Sequence, residues 1–496
     1  MRNTACGTLS AFALVQGVEK MFLTNALAQS DTSGDYKALV CVFLFGGNDA
    51  NNIVIPYTNY DGDGVDGYGP VRGGSVMLAV PRNSLLQITP PSDGNVFGLH
   101  PALGTIAGQP NDGIYSLWNQ GKVAIAVNTG TMIDPSATKD QLRQGILRPY
   151  QLFSHSDQQA AYQSSKSTGP SPTGWGGRLA DRLRGSQTFP VVTSISGVQV
   201  FTQGSNTRPL IASQAPTRID QLLVVQRDFA PDNPIQQIVA LDRGDGNATL
   251  IKSSAQIAQD SLDIRARLLA AGDPSLPQWQ TSFPNTGLGN QLKQVAKLIK
   301  TSREFLTGVN RQIFFVSMGG FDTHNNQGAE TGNQANLWIQ VSQAMTAFYQ
   351  ATVDMGLGAN VTQFTMSDFS RTFKPANPGG GVGSDHAWGS HHFAMGDAVN
   401  PTGVSDFYGQ FQDVTIGGPA DYDLGTGSRG RWIPTQSVDQ FAATMANWYG
   451  LQPADLPYVF PNLGRFTPQD LGFMQAPAGA AVATTNSGMP VKTPKR

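Results

Sequence analysis

Three aspartates and a group of histidines are the residues of this sequence best suited to chemistry, and the chemistry they suit is divalent-metal binding. Asp49, Asp322 and Asp368 each follow an apolar, strand-like run. The histidines are His100, His155, His324, His386, His391 and His392, and four of the six fall between 324 and 392. His324 lies two residues beyond Asp322. Carboxylate oxygen and imidazole nitrogen are ligands that zinc or manganese accepts. A single Asp after a strand is more often a turn or helix cap; three of them with an adjacent His shift the balance towards a metal site. The stretch Gly381-Val-Gly-Ser-Asp385-His386-Ala-Trp-Gly-Ser-His391-His392 reads as a glycine-rich loop, and His386 is the preferred ligand in it. His391 and His392 read equally well as solvated loop residues, because adjacent side chains on extended backbone point apart.

Two further positions belong to the same chemistry. Ser154-His155 supplies a nucleophile or another ligand, although a serine there is also a common helix N-cap. A serine hydroxyl needs a metal or a base before it attacks anything. Arg371, three residues after Asp368, either binds a non-bridging ester oxygen through its two-pronged guanidinium or serves as a structural ion-pair partner.

The elements that must position these residues alternate between strand and helix. Lys37 to Phe45 is a continuous apolar run ending in Gly46-Gly47-Asn48-Asp49, as suits a strand buried on both faces of a parallel sheet. Similar runs cover Lys122 to Val127, Phe189 to Ser194, Arg311 to Met318 and Asn360 to Met366. Helical spacing marks Ser254 to Ala271, Leu288 to Leu306 and Ser437 to Tyr449, the last with Ser437 and Gln440 placed as a capping box and Gly450 as its stop. This alternation predicts an α/β fold with a mostly parallel sheet. Ligands of such sheets bind beyond the carboxyl ends of the strands, where all three aspartates would fall.

With 496 residues, 14% charged side chains and a net charge of −2, the chain has a globular composition and carries no basic field for nucleic acid. No later stretch has the apolar length of a membrane span. Residues 1–30 read as an export signal: Met1-Arg2, an apolar stretch from Ala5 to Val18, and an Ala26-Leu27-Ala28 cleavage pattern. The twin-Arg pair of Tat export is missing and Glu19-Lys20 interrupts the apolar run. Cys41 would remain alone after cleavage, so no internal disulfide is expected. Residues 31–475 form one α/β domain in this reading, with 175–290 as a cap insertion beside the site and 476–496 as a disordered Ala/Pro/Thr/Ser-rich tail.

The chain resembles the bacterial domain-of-unknown-function family 1501, within the alkaline phosphatase-like superfamily. The motifs that carry the resemblance are Phe43-Leu-Phe-Gly-Gly-Asn-Asp49-Ala-Asn-Asn52, His100-Pro101-Ala-Leu, Phe153-Ser-His155, Gly320-Phe-Asp-Thr-His324, Ser367-Asp-Phe-Ser-Arg-Thr372, Gly383-Ser-Asp-His386 and Ser437-Val-Asp-Gln-Phe through Gly450. The resemblance implies an alkaline phosphatase-like three-layer sandwich and one or two divalent ions (zinc, manganese or calcium). Asp49 matches the first-strand metal ligand, Asp322 with His324 an Asp/His pair, and Asp368 with His386 a further ligand set, while Ser154 falls where a nucleophile could. It implies an exported, periplasmic hydrolase of a phosphate or sulfate ester, small or part of an envelope polymer. The superfamily usually has His directly after the Asp at position 368, and here Phe369 stands there. The Asp322–His324 spacing is also shorter than the usual Asp-x-x-x-His, and no sulfatase Cys/Ser-x-Pro-x-Arg motif is present around Cys41 or Ser154. Those departures leave open a superfamily member without turnover, acting as an envelope binding or assembly protein.

Overall fold

A computed structural model describes residues 36–62, 67–73, 77–185, 187, 189–219, 263–264, 266–268, 281–306, 308–376 and 381–475. The strands are β1 (Lys37–Leu44), β2 (Val54–Pro56), β3 (Leu86–Ile88), β4 (Phe97–Leu99), β5 (Val123–Gly130), β6 (Val192–Ser194), β7 (Leu210–Ile211), β8 (Arg311–Met318), β9 (Val361–Ser367), β10 (Ser390–Met395), β11 (Asp406–Tyr408) and β12 (Gln436–Ser437). The main sheet runs β11-β5-β10-β9-β1-β8-β6-β7, with β12 also beside β5, while β2, β4 and β3 form a small separate sheet. All pairings in the main sheet are parallel except those of β10, which is antiparallel to both β5 and β9.

The longer helices are α1 (His155–Ser164), α2 (Trp175–Leu183), α3 (Gly287–Phe305), α4 (Asn333–Asp354) and α5 (Val438–Tyr449). Every residue of β1 is buried, and its side chains alternate between two cores. Val40, Val42 and Leu44 meet α3 and α4, while Leu39, Cys41 and Phe43 meet α1, α2 and α5. Burial on both faces is why the central strands are continuous apolar runs. The result is a three-layer α/β sandwich with a mostly parallel central sheet, as the sequence led us to expect.

Local signals place several elements well. The helix α5 begins at a capping box in which Ser437 and Gln440 satisfy each other's backbone donors, and it stops at Gly450 in the left-handed region. The β8 strand occupies the anticipated span. Two expectations need correction. His391 and His392 are not in a solvated loop: they lie in β10, fully buried on opposite faces. His391 stacks on Phe411, and His392 sits between Tyr162 and Phe441. Residues 175–211, expected as the start of a cap, instead supply α2, β6 and β7 to the main layers. The rest of that span to residue 280, including most of the helix anticipated from Ser254, lies outside the described residues, as do the expected signal and tail. No helix among the described residues is long and apolar enough to cross a membrane.

Candidate metal centre

The register of the sheet delivers three of the sequence motifs to one rim. Leu44 pairs with Met318 on β8 and with Ser367 on β9, so the carboxyl ends of three adjacent strands are level. The chain leaves β8 along the end of β1, where Phe321 donates its N–H to the Phe45 carbonyl. Asp322 therefore lies against Gly46, whose φ of +114° suits glycine and where an added Cβ would stand 2.4 Å from the Asp322 nitrogen. Since β10 runs the opposite way, it brings its amino end to this rim. Ser390 pairs with Thr129, and the preceding stretch joins the residues after β9 through Thr372 N–H to Asp385 O and Ala387 N–H to Ser370 O. That pairing carries His386 and Asp385 to the end of β9. His155, the first residue of α1, arrives from the same side.

These residues converge. One ligand atom from each of His155, Asp322 and His386 lies within 4.8 Å of the others, and so does one from each of His324, Asp385 and His386. Around Asp322, His155 Nε2 is 3.4 Å from Oδ2, while His386 Nε2 and His324 Nε2 are 3.5 and 3.0 Å from Oδ1. The Nε2 atoms of His324 and His386 are 3.0 Å apart. Four ligands at the ~2.1 Å bonds usual for zinc stand ~3.4 Å apart along the edges of a tetrahedron. These separations in the cluster, 3.0 to 3.5 Å, are of that size.

The ring orientations fit the same use. His386 Nδ1 is 2.9 Å from the Phe153 carbonyl oxygen, which can only accept, so this nitrogen carries a proton. His155 Nδ1 donates to Asp368 Oδ2 at 2.7 Å. In each neutral ring the Nε2 lone pair is then turned towards Asp322, and that of His386 also meets His324 Nε2 at 3.0 Å. His155 Nε2 is buried without a hydrogen-bond partner. A carboxylate or carbonyl behind an imidazole is the usual arrangement behind a metal-bound histidine. The hydrogen bond to Asp368 raises the pKa of His155, and burial lowers that of His386. Burial also acts to raise the Asp322 pKa but is outweighed by the hydrogen bond and charge of Arg371, so the net shift is downward.

The individual expectations fare differently. Asp322, His324 and His386 are brought together, and His155 joins them. Asp368 stands one shell behind: its Oδ2 accepts from His155, from Gln159 Nε2 at 2.8 Å and from the Gly46 N–H at 3.2 Å. Asp49 does not reach the cluster. It is fully buried, ion-paired with Arg72 and hydrogen-bonded by Gln327. Ser154 is an N-cap whose hydroxyl donates to Asp157 at 2.6 Å. The buried Arg371 has its donors occupied, with Asp322 Oδ1 at 2.7 Å, the Ser384 oxygens and the Gly46 carbonyl, which makes it a holder of Asp322 rather than a hand for substrate. Phe369 packs its ring 4.9 Å from His155 and 4.8 Å from His386, measured between ring centres. His100 caps the turn at Pro101–Leu103.

Sequence reasoning passed over Asp385, although it sits beside His386. Its carboxylate accepts from the His386 N–H and from Arg429, with Arg431 at 3.6 Å. Arg72, Gln159 and Gln327 were also missed, and no local signal marks them: each meets its partner only through the fold.

Comparison with known proteins adds a family and little else. The family model described as protein of unknown function (DUF1501) matches residues 148–417, more than half of the chain. No curated protein matches. Among solved structures, the alkaline phosphatase from the Antarctic bacterium TAB5 aligns at 10% identity over 75% of this chain and 95% of that one, with a TM-score of 0.25. A mutant of that enzyme with Mg bound in its M3 site aligns at 10% identity over 75% and 94%, with a TM-score of 0.21.

Proposed function

This chain belongs to the DUF1501 family, and we propose that its rim cluster binds a divalent metal ion and hydrolyses an anionic ester, a phosphate or sulfate, outside the cytoplasm. One observation carries the reading: two imidazoles, each with Nδ1 committed to an acceptor, turn their Nε2 atoms towards one carboxylate at 3.4 and 3.5 Å. The residues that would hold the ion are His155, Asp322 and His386, with His324 as a fourth, and zinc or manganese suits that nitrogen and oxygen set. Such an ion neutralises charge on ester oxygens and makes water nucleophilic near neutral pH.

The protein's own groups then have separate tasks. Asp368 fixes the tautomer and plane of His155, and Phe153 does the same for His386 through its carbonyl. Arg371 holds the Asp322 carboxylate in place. Asp322 and His324, with side chains 44% and 40% exposed, are the cluster members best reached by solvent and substrate. Ser154 contributes position only, as its hydroxyl is engaged by Asp157, so water is the nucleophile in this reading.

A binding protein without turnover is the second reading, and the packing of Phe369 against both imidazoles favours it, since an apolar ring occupies a place beside the cluster where another ligand could stand. Metal analysis and hydrolysis separate the two. The full chain should retain about one zinc or manganese ion and cleave an aryl phosphate or sulfate, and Asp322→Ala should lose both properties. Tight metal without turnover on either ester selects the binding protein. A chain that retains no metal when zinc, manganese and calcium are each supplied refutes the site itself.

A further inference from the structure

The stretch immediately before the cluster walls a cleft of about 620 Å³ whose lining includes Arg148, Tyr150, Gln151 and Ser154. That volume lies in the range of small-molecule binding sites and far exceeds what one phosphate or sulfate fills. The wall ends in residues next to the cluster: the Phe153 carbonyl accepts a hydrogen bond from His386 Nδ1, and Ser154 precedes His155. Its backbone is held in a demanding shape, with Leu147 at φ 55° and Gln151 at φ 45°, both in the left-handed region that costs a non-glycine residue energy.

We propose that this cleft receives the unreacting part of the substrate and that Arg148 binds a second anionic group there. The substrate class is then a molecule with at least two anionic groups, not a lone small ester. This rests on the reading of the cluster as a metal-dependent ester site. Arg148 is exposed, and its hydrogen bond is a single one, from Nη1 to the Tyr422 hydroxyl at 3.3 Å. Among the described residues no carboxylate lies within ion-pair distance of it. The rest of its donor fork is therefore open for a planar, two-point contact with a phosphate, sulfate or carboxylate. Tyr422 also anchors a second cation, Arg143, whose Nη1 donates to the Tyr422 carbonyl at 3.0 Å while its guanidinium lies over the ring. In a chain of net charge −2 this pair of arginines supplies positive charge at Arg148's wall of a cleft whose lining runs on to Ser154, the residue before His155.

The test is equilibrium binding by calorimetry to the manganese-loaded full chain. The probes are straight-chain alkanediol bisphosphates and alkyl monophosphates of matching length. At one or more lengths the bisphosphate should bind more tightly than its monophosphate, and Arg148→Ala should weaken that bisphosphate about tenfold while leaving the monophosphate unchanged. Arg148→Lys should fall between, and Arg82→Ala, at an exposed arginine elsewhere, should change nothing. Equal affinity of the two probe classes, or an unaltered bisphosphate affinity in Arg148→Ala, overturns the cleft assignment. Asp322→Ala reads the other premise: if it leaves metal content and monophosphate binding intact, the metal reading fails while the Arg148 comparison still reports on the cleft.

Discussion

Replacing Asp368 by asparagine tests the division between residues that would touch a metal ion and those that only orient its ligands. Asp368 is wholly buried, and its Oδ2 collects three donors, of which the shortest is His155 Nδ1 at 2.7 Å. Asparagine keeps the shape and one oxygen but removes the charge that raises the basicity of His155, and its amide can turn an N–H towards the ring. Loss of such an orienting partner typically weakens metal binding 10–100-fold, which is about 1.4–2.8 kcal/mol. Zinc affinity measured by competition with a chromogenic chelator should fall by that factor in Asp368→Asn, and by more in Asp322→Ala. Asp49→Asn is the contrasting variant. It leaves the buried Arg72 without its counter-charge, a loss of roughly 3 kcal/mol in unfolding free energy by the usual cost of breaking such pairs, yet zinc affinity should fall by much less than in Asp368→Asn, because Asp49 meets the cluster only through Gln327, Ser384 and Arg371. Should Asp49→Asn weaken zinc as much as Asp368→Asn, or should Asp368→Asn bind as tightly as the wild type, the assignment of the inner and outer shells is wrong.

Three further outcomes follow from the packing around the rim and core. Gly47 sits at φ +78° with the Phe369 ring 2.4 Å from where a Cβ would be, so Gly47→Ala should displace Phe369 from the two imidazoles and reduce zinc affinity as well as the melting temperature. His392 is buried neutral, its pKa pushed down to about 3 from 6.5. The unfolded chain therefore takes up the proton first as pH falls, and stability is lost progressively below about pH 6.5, by ~2 kcal/mol at pH 5 for this group. In urea titrations across pH 7 to 5, His392→Phe should show a correspondingly smaller loss, and an undiminished one would refute the burial argument. Asp439 has the opposite sign: burial lifts its carboxyl to about 6 from 3.8, so the folded state holds its proton more tightly and stability falls as pH rises from about 4 to 6. Asp439→Asn should add on the order of 3 kcal/mol at pH 7 and little at pH 4, and equal effects at the two pH values would count against it.

What could be read without coordinates follows from how local each signal is. Strands β1 and β8 are buried along most of their length and announce themselves by the apolar runs 38–44 and 313–316, while the buried β9 mixes its apolar residues with Thr362, Gln363, Thr365 and Ser367; α5 carries its start and stop in Ser437, Gln440 and Gly450. By contrast, β10 contains two adjacent histidines after a glycine-rich stretch, which reads as loop. It is a strand because the two rings find aromatic neighbours on opposite faces, a fact of tertiary packing. The helix α4 hides for a related reason: glutamines are scattered through its buried side, among them Gln334 bonded to the Asp49 carbonyl and Gln343 bonded to Asn111. In the site, residue type and position after a strand pick out Asp322, His324 and His386. They cannot tell Asp49 from Asp368 or Asp322, because what separates the three is a partner elsewhere in the chain: Arg72 for the first, His155 for the second, Arg371 for the third.

That separation also explains why so much buried charge sits under an exposed rim. Arg371 and Arg72 lie fully buried beneath the cluster, and each has an aspartate within bonding distance. Gln327 bridges the two pairs, donating to Asp49 and accepting from the Ser384 hydroxyl that Arg371 also contacts. Buried ion pairs of this kind add little net stability over apolar packing, so stability alone is a poor reason for them. Their effect is geometric: the network ties the end of β1, the loop after β8 and the approach to β10 into one hydrogen-bonded body, and it fixes Asp322, the carboxylate that His155, His324 and His386 all face. A metal site assembled from three separate stretches of chain needs that kind of footing, because a shift of even half an ångström in one ligand would spoil its geometry.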